Sequence, residues 1–209
     1  MWIKICGMTS ERAVATAIDQ AIDAIGFVFA PSVRRLEPAR ALRLAEPARG
    51  RLLCVAVTLH PEQSLVDQIV REFAPDVLQT DWADLAGLRL PPGLAVLPVL
   101  RSVTGTGAVP AALPRPLPPR ILFEGPRSGA GHASDWEQAA QLSTATQLVL
   151  AGGLSPANVR MAIDTVRPFG VDVSSGVESA PGQKDPGRMV EFVQAARAAT
   201  AGMQHEHRD

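Results

Sequence analysis

Eight short apolar runs recur along the chain, and helix-length segments separate them. The runs are Trp2–Cys6, Ala24–Phe29, Leu52–Leu59, Val77–Gln79, Leu94–Val99, Ile121–Phe123, Gln147–Ala151 and Gly170–Val173. Most show no polar alternation, a pattern suited to parallel strands covered on both faces. Segments between them carry apolar residues three and four apart, such as Val66, Ile69, Val70 and Phe73, which makes one buried helix face. Four places put proline where a helix would begin: Glu37-Pro38, His60-Pro61, Ser155-Pro156 and Asp185-Pro186, with Ser155 and Asp185 also able to cap. Eight strand–helix units in 209 residues fit a (β/α)8 TIM barrel near its minimum length. An open doubly wound sheet shares the alternation but usually has fewer strands. The expected organisation is one compact barrel domain over residues 1–200 and a polar C-terminal tail over 201–209. Between Arg101 and Arg120 stand Pro110, Pro114, Pro116, Pro118 and Pro119, which cannot share one helix. The fifth helix is therefore expected to be reduced or missing.

Charge excludes some partners. Twenty Lys and Arg against twenty-one Asp and Glu leave a net charge of −1, so no basic face invites nucleic acid or an anionic membrane. No stretch approaches the roughly 18 apolar residues of a membrane span, and the start reads as a strand and turn rather than a signal peptide. Cys6 and Cys54 sit in separate apolar runs and suggest no disulfide, which fits a reducing, cytoplasmic setting. Gly129-x-Gly131 lacks the third glycine of a dinucleotide loop, so no nicotinamide cofactor is expected. His205 and His207 read as a solvated terminus, and no metal is expected.

In a barrel, chemistry gathers where strands end. Gly152 and Gly153 follow the seventh run with a helix start expected immediately after, and Ser174, Ser175 and Gly176 follow the eighth. Bare amides near a helix N-terminus make an anion site, here read as phosphate-binding; the alternative is that these glycines only make tight turns. Cys6 ends the first run. A buried thiol is usually core, but at a barrel mouth it becomes a candidate proton acceptor if its pKa falls from about 8.5. Lys4, two residues back, points to the same side and could favour the thiolate. Cys54, near the start of its run, reads as core.

Four segments resemble phosphoribosylanthranilate isomerase: Lys4-Ile5-Cys6-Gly7-Met8-Thr9; Gly26-Phe27-Val28-Phe29 with Ser32-x-Arg34; Leu150-Ala151-Gly152-Gly153-Leu154-Ser155-Pro156-x-Asn158-Val159; and Gly170-Val171-Asp172-Val173-Ser174-Ser175-Gly176-Val177-Glu178. The resemblance spans residue 2 to about 195 and implies a (β/α)8 barrel. It also implies a step of tryptophan biosynthesis, the Amadori rearrangement of N-(5-phosphoribosyl)anthranilate to 1-(2-carboxyphenylamino)-1-deoxyribulose 5-phosphate, without cofactor or metal. The implied partner is this small phosphorylated substrate, and the implied protein a monomer or homodimer.

By the same resemblance Cys6 is the general base. Glu124 stands where the family has its acidic aspartate, with the alternative that the acid has moved. Arg34 matches the arginine that pairs with the anthranilate carboxylate, although adjacent Arg35 could be the one pointing inward. Asp172 is a candidate for the sugar hydroxyls or for fixing backbone. Gln79-Thr80-Asp81-Trp82 departs from the family's Gln-Leu-His-Gly, and Ala133-Ser134 departs where an aromatic is usual. Two other readings remain: an isomerase of another phosphoribosyl amine, which would want aspartates at the first and fifth strands, and a non-catalytic phosphate-binding barrel.

Overall fold

The computed structural model describes residues 1–102, 116–125 and 135–206. Eight strands form the barrel: β1 (Trp2–Cys6), β2 (Ala24–Val28), β3 (Leu53–Val57), β4 (Val77–Asp81), β5 (Ala95–Arg101), β6 (Arg120–Glu124), β7 (Gln147–Leu150) and β8 (Gly170–Val173). Neighbours pair in parallel in chain order, and β8 returns to β1 with Trp2 beside Gly170 and Lys4 beside Asp172. The sheet is closed, so the open doubly wound alternative falls.

Alternation along each strand divides the core. Ile3 and Ile5 of β1, with Ile121 and Phe123 of β6, face the helix layer and join the large apolar cluster there. Leu97, Val99, Leu122 and Val149 have the opposite parity and form a separate cluster. Trp2 packs on this second cluster, and Cys6 has the same parity in β1. Lys4 lies between them in the alternation, so this parity carries Lys4 and Cys6 together into the barrel.

Helices follow most strands: α1 (Glu11–Asp19), α2 (Pro38–Ala45), α3 (Gln63–Glu72), α4 (Trp136–Ser143), α5 (Val159–Val166) and α6 (Pro186–Glu206). Pro38 and Pro186 open their helices as expected, and Asp185 caps α6 by accepting the Arg188 N–H at 3.0 Å. The other two prolines do not. Helix α3 starts two residues beyond Pro61, after a turn at His60 with φ of 45°. Helix α5 starts three residues beyond Pro156, because the Asn158 side chain closes a turn there by accepting the Ser155 N–H. Ser155 is therefore no cap. The β4–β5 connection holds only a 3₁₀ turn at Trp82–Gly87.

The expected loss of the fifth helix falls largely on residues 103–115, outside the described residues, as do Gly129, Gly131, Ala133 and Ser134. Helix α6 runs to Glu206, so the first residues of the expected polar tail continue a helix; His207 lies outside the described residues. After β8, a hairpin of β9 (Glu178–Ala180) and β10 (Gln183–Lys184) lies beside the barrel mouth. Among the described residues no helix is long and apolar enough to cross a membrane.

Candidate active site

The C-terminal ends of the strands surround a cavity of about 170 Å³. Cys6, Arg34, Glu124, Gly152, Gly153, Asp172, Ser174 and Ser175 all line it, so one cavity gathers nearly every site residue expected from sequence. Gly176 stands behind the lining. A Cβ there would fall 1.9 Å from the Leu154 carbonyl oxygen, so only glycine lets the turns after β7 and β8 approach this closely.

Three buried titratable groups share the floor. The register sets Lys4 beside Asp172, and Lys4 Nζ lies 3.0 Å from Asp172 Oδ1. Burial alone would lower the Lys4 pKa, but the charges of Asp172 and Cys6 outweigh it and hold the group above its ordinary value. Burial raises Asp172, against the pull of Lys4 and Lys184. The condition set for a proton acceptor, a lowered Cys6 pKa, is not met by the pocket's own groups. Burial pushes it above its ordinary value, and although Lys4 and Lys184 pull it down, the Asp172 charge adds to the rise. Lys4 does favour the thiolate, but desolvation outweighs it.

A second cluster orients the guanidinium. Arg34 points inward and is 8% exposed, whereas Arg35 meets Glu37 in solvent, so the alternative register is excluded. Arg34 Nε and Nη2 donate to Glu178 Oε1 and Oε2, both at 2.7 Å. Lys184 Nζ donates to the same Oε1 at 2.5 Å and to the Ser174 carbonyl at 3.1 Å. Burial would raise Glu178, but the bonds from Arg34 and Lys184 prevail and bring its pKa down to about 2. Glu178 thus fixes the plane of Arg34, and among the described residues no hydrogen bond engages Nη1.

The third cluster spans three strands. Glu124, at the end of β6, is buried, and its Oε1 lies 2.8 Å from Arg101 Nη1. Arg101 also donates through Nε and Nη2 to Asp81 Oδ2 and Oδ1, at 3.0 and 2.6 Å. The Asp81 departure is therefore tied, through Arg101, to the Glu124 departure. Next to it, Asp84 Oδ2 accepts the Thr80 hydroxyl at 2.8 Å and Oδ1 meets His60 Nδ1 at 2.7 Å.

The glycine turn also differs from expectation in one respect. Gly152 and Gly153 take φ of 91° and 67°, but α5 begins only at Val159, so no helix N-terminus follows them immediately. Asn158 spans the gap by donating Nδ2 to the Gly153 carbonyl at 2.9 Å. The Ser174 hydroxyl is already engaged, donating to the Cys6 carbonyl at 3.1 Å. It ties β8 to β1 beneath the thiol.

Arg101, Asp81, Glu178, Lys184 and Asn158 were not expected to serve the site. Arg101 offered a signal: it is a lone charge just after an apolar run, at the strand position nearest the mouth. Among the described residues no three His, Cys, Asp or Glu side chains gather as a metal site.

Known proteins resemble this chain in sequence and fold. The sequence profile of N-(5'-phosphoribosyl)anthranilate (PRA) isomerase matches residues 3–195. The N-(5'-phosphoribosyl)anthranilate isomerase of Mesorhizobium japonicum is 39% identical over 94% of this chain and 95% of its own length. Crystallised TrpF from Jonesia denitrificans is 36% identical and superposes with a TM-score of 0.76 over 96% of this chain and 98% of that one. A phosphoribosyl anthranilate isomerase solved with reduced 1-(o-carboxyphenylamino)-1-deoxyribulose 5-phosphate is 27% identical, with a TM-score of 0.75 over 95% and 99% of the two chains. With a profile match over most of its length and relatives that share both barrel and sequence, this chain belongs to the N-(5'-phosphoribosyl)anthranilate isomerase family.

Proposed function

We propose that the protein isomerises N-(5'-phosphoribosyl)anthranilate by general acid–base catalysis, with Glu124 as the acid and Cys6 as the base. The observation that carries this reading is the single cavity lined by a thiol, a buried carboxyl, an inward guanidinium and the paired turns after β7 and β8. A substrate with a carboxylate at one end and a phosphate at the other matches that order of groups. Arg34 takes the carboxylate with its remaining donors. The amides at Gly152, Gly153, Ser175 and Gly176 take the phosphate.

Glu124 gives its proton to the ribose ring oxygen as the C1′–O bond breaks, opening the ring to an iminium. The Cys6 thiolate then removes the C2′ proton, and the C–H electron pair neutralises the iminium to give an enolamine. Tautomerisation yields the ketone. Burial holds the thiol above its ordinary pKa, so the step needs a nearby positive charge. The iminium supplies one, and Lys4 and Lys184 add to it. Asp172, held by Lys4, is placed to accept sugar hydroxyls.

Cys6→Ser tests the base directly, because a hydroxyl is far too weak to replace a thiolate. Turnover, followed by the fluorescence change on substrate consumption, is expected to fall by about 10²-fold or more with unchanged circular dichroism. Retention of more than about a third of wild-type kcat would remove Cys6 from the base role.

A further inference from the structure

The Arg101 guanidinium stands between two carboxylates from neighbouring strands. Its Nε and Nη2 fork onto Asp81, and the remaining Nη1 meets Glu124. Strand registers set this up, placing Asp81 beside Val99 and Arg101 beside Glu124. All three side chains are largely withdrawn from water, with exposures of 13% for Asp81, 23% for Arg101 and 11% for Glu124. A bidentate Arg–carboxylate pair has a fixed plane, so Asp81 leaves Nη1 one place to stand.

Taking Glu124 as the proton donor, we propose that Asp81 and Arg101 are a positioning pair that aims the Glu124 carboxyl into the cavity and keeps its surroundings near electrical neutrality. Two physical needs support this. A glutamate has one more side-chain torsion than an aspartate, and the Nη1 contact restrains that extra freedom. A lone guanidinium beside Glu124 would favour the carboxylate and drain the proton the reaction uses. Asp81 offsets that charge. With Glu124 protonated the three groups sum to zero; with Glu124 ionised they sum to −1. Among the described residues, the other charged or titratable groups around the trio and the cavity are the His60–Asp84 pair, with His60 near enough to feel both Asp81 and Arg101, Lys4 and Cys6 from β1, Asp172 from β8, and Arg34 with Glu178 and Lys184. The neighbouring residues of β7 and its turn, Leu150 and Ala151, carry no charge.

The test uses the full chain labelled with carboxyl-¹³C glutamate. The Glu124 resonance is identified by its absence in Glu124→Gln, and kcat and KM are measured in parallel. Arg101→Gln is expected to raise the Glu124 titration midpoint and Asp81→Asn to lower it, each by about half a unit or more. In both, kcat is expected to fall about tenfold or more while KM moves less than about threefold. Arg101→Lys should recover part of the kcat lost in Arg101→Gln, because it restores charge without the fork. Should Arg101→Gln not fold, Asp81→Asn and Arg101→Lys decide alone, with lower kcat required in each. Midpoints that stay put or move the same way, or kcat within about twofold of wild type, would overturn the proposal. An active Glu124→Gln would instead remove Glu124 as the donor. An inactive Glu124→Gln beside fully active Arg101→Gln and Asp81→Asn would end only the positioning role.

Discussion

Arg34 shows how neighbouring charges can fix the orientation of a single side chain. Glu178 occupies two of its donors and Lys184 shares the load on that carboxylate, so the guanidinium is oriented but not exhausted. Arg34→Ala removes a charge-assisted contact and should raise KM about tenfold or more, with a smaller effect on kcat. Arg35→Ala, on the exposed side, should leave both within about twofold. Steady-state kinetics of the two variants check this, and the reverse ranking would contradict the assigned carboxylate contact. The cavity-lining residues were legible where they fall at strand ends or in the loops after them within recognisable segments, as Cys6, Glu124, Asp172 and Arg34 do. Their partners were not. Glu178 and Lys184 reach the site by a hairpin that folds back, and Arg101 links Asp81 to Glu124 across three strands, so no local pattern announces either cluster.

Strands were easier to read from sequence than helix starts. A parallel strand inside a closed barrel is covered on both faces, and its continuous apolar run is a direct consequence. Proline fixes φ but does not by itself start a helix, and at Ser155-Pro156 the Asn158 side chain holds a turn that delays α5. That same turn matters to the site, because Leu154 within it meets Gly176 from the next connection. Gly176→Ala would force the two turns apart. Overpacking of this kind typically costs about 1–3 kcal/mol, and the cost should come with weaker anion binding. Thermal unfolding and competitive inhibition by inorganic phosphate check it together. An unchanged melting temperature with unchanged phosphate affinity would mean that the two turns do not act as one cradle.

At the scale of the molecule, barrel closure brings the site together. Residues from β1, β6 and β8, far apart in sequence, converge because eight parallel strands end on one face. The eightfold alternation made that architecture legible, whereas the balance of charge inside the mouth emerged only in three dimensions. Each cluster pairs cations with carboxylates: Lys4 with Asp172, Arg34 and Lys184 with Glu178, and Arg101 with Asp81 and Glu124. A pH profile would report the charged groups of such a mouth together and not one residue alone. Direct substitution of the proposed acid is therefore the sharper test. In single-turnover measurements, Glu124→Gln should keep the shape of the site yet lower the rate by about 10²-fold or more, with Glu124→Asp falling between it and wild type. A nearly unchanged rate in Glu124→Gln, alongside an inactive Asp172→Asn, would move the acid to β8 and contradict the account.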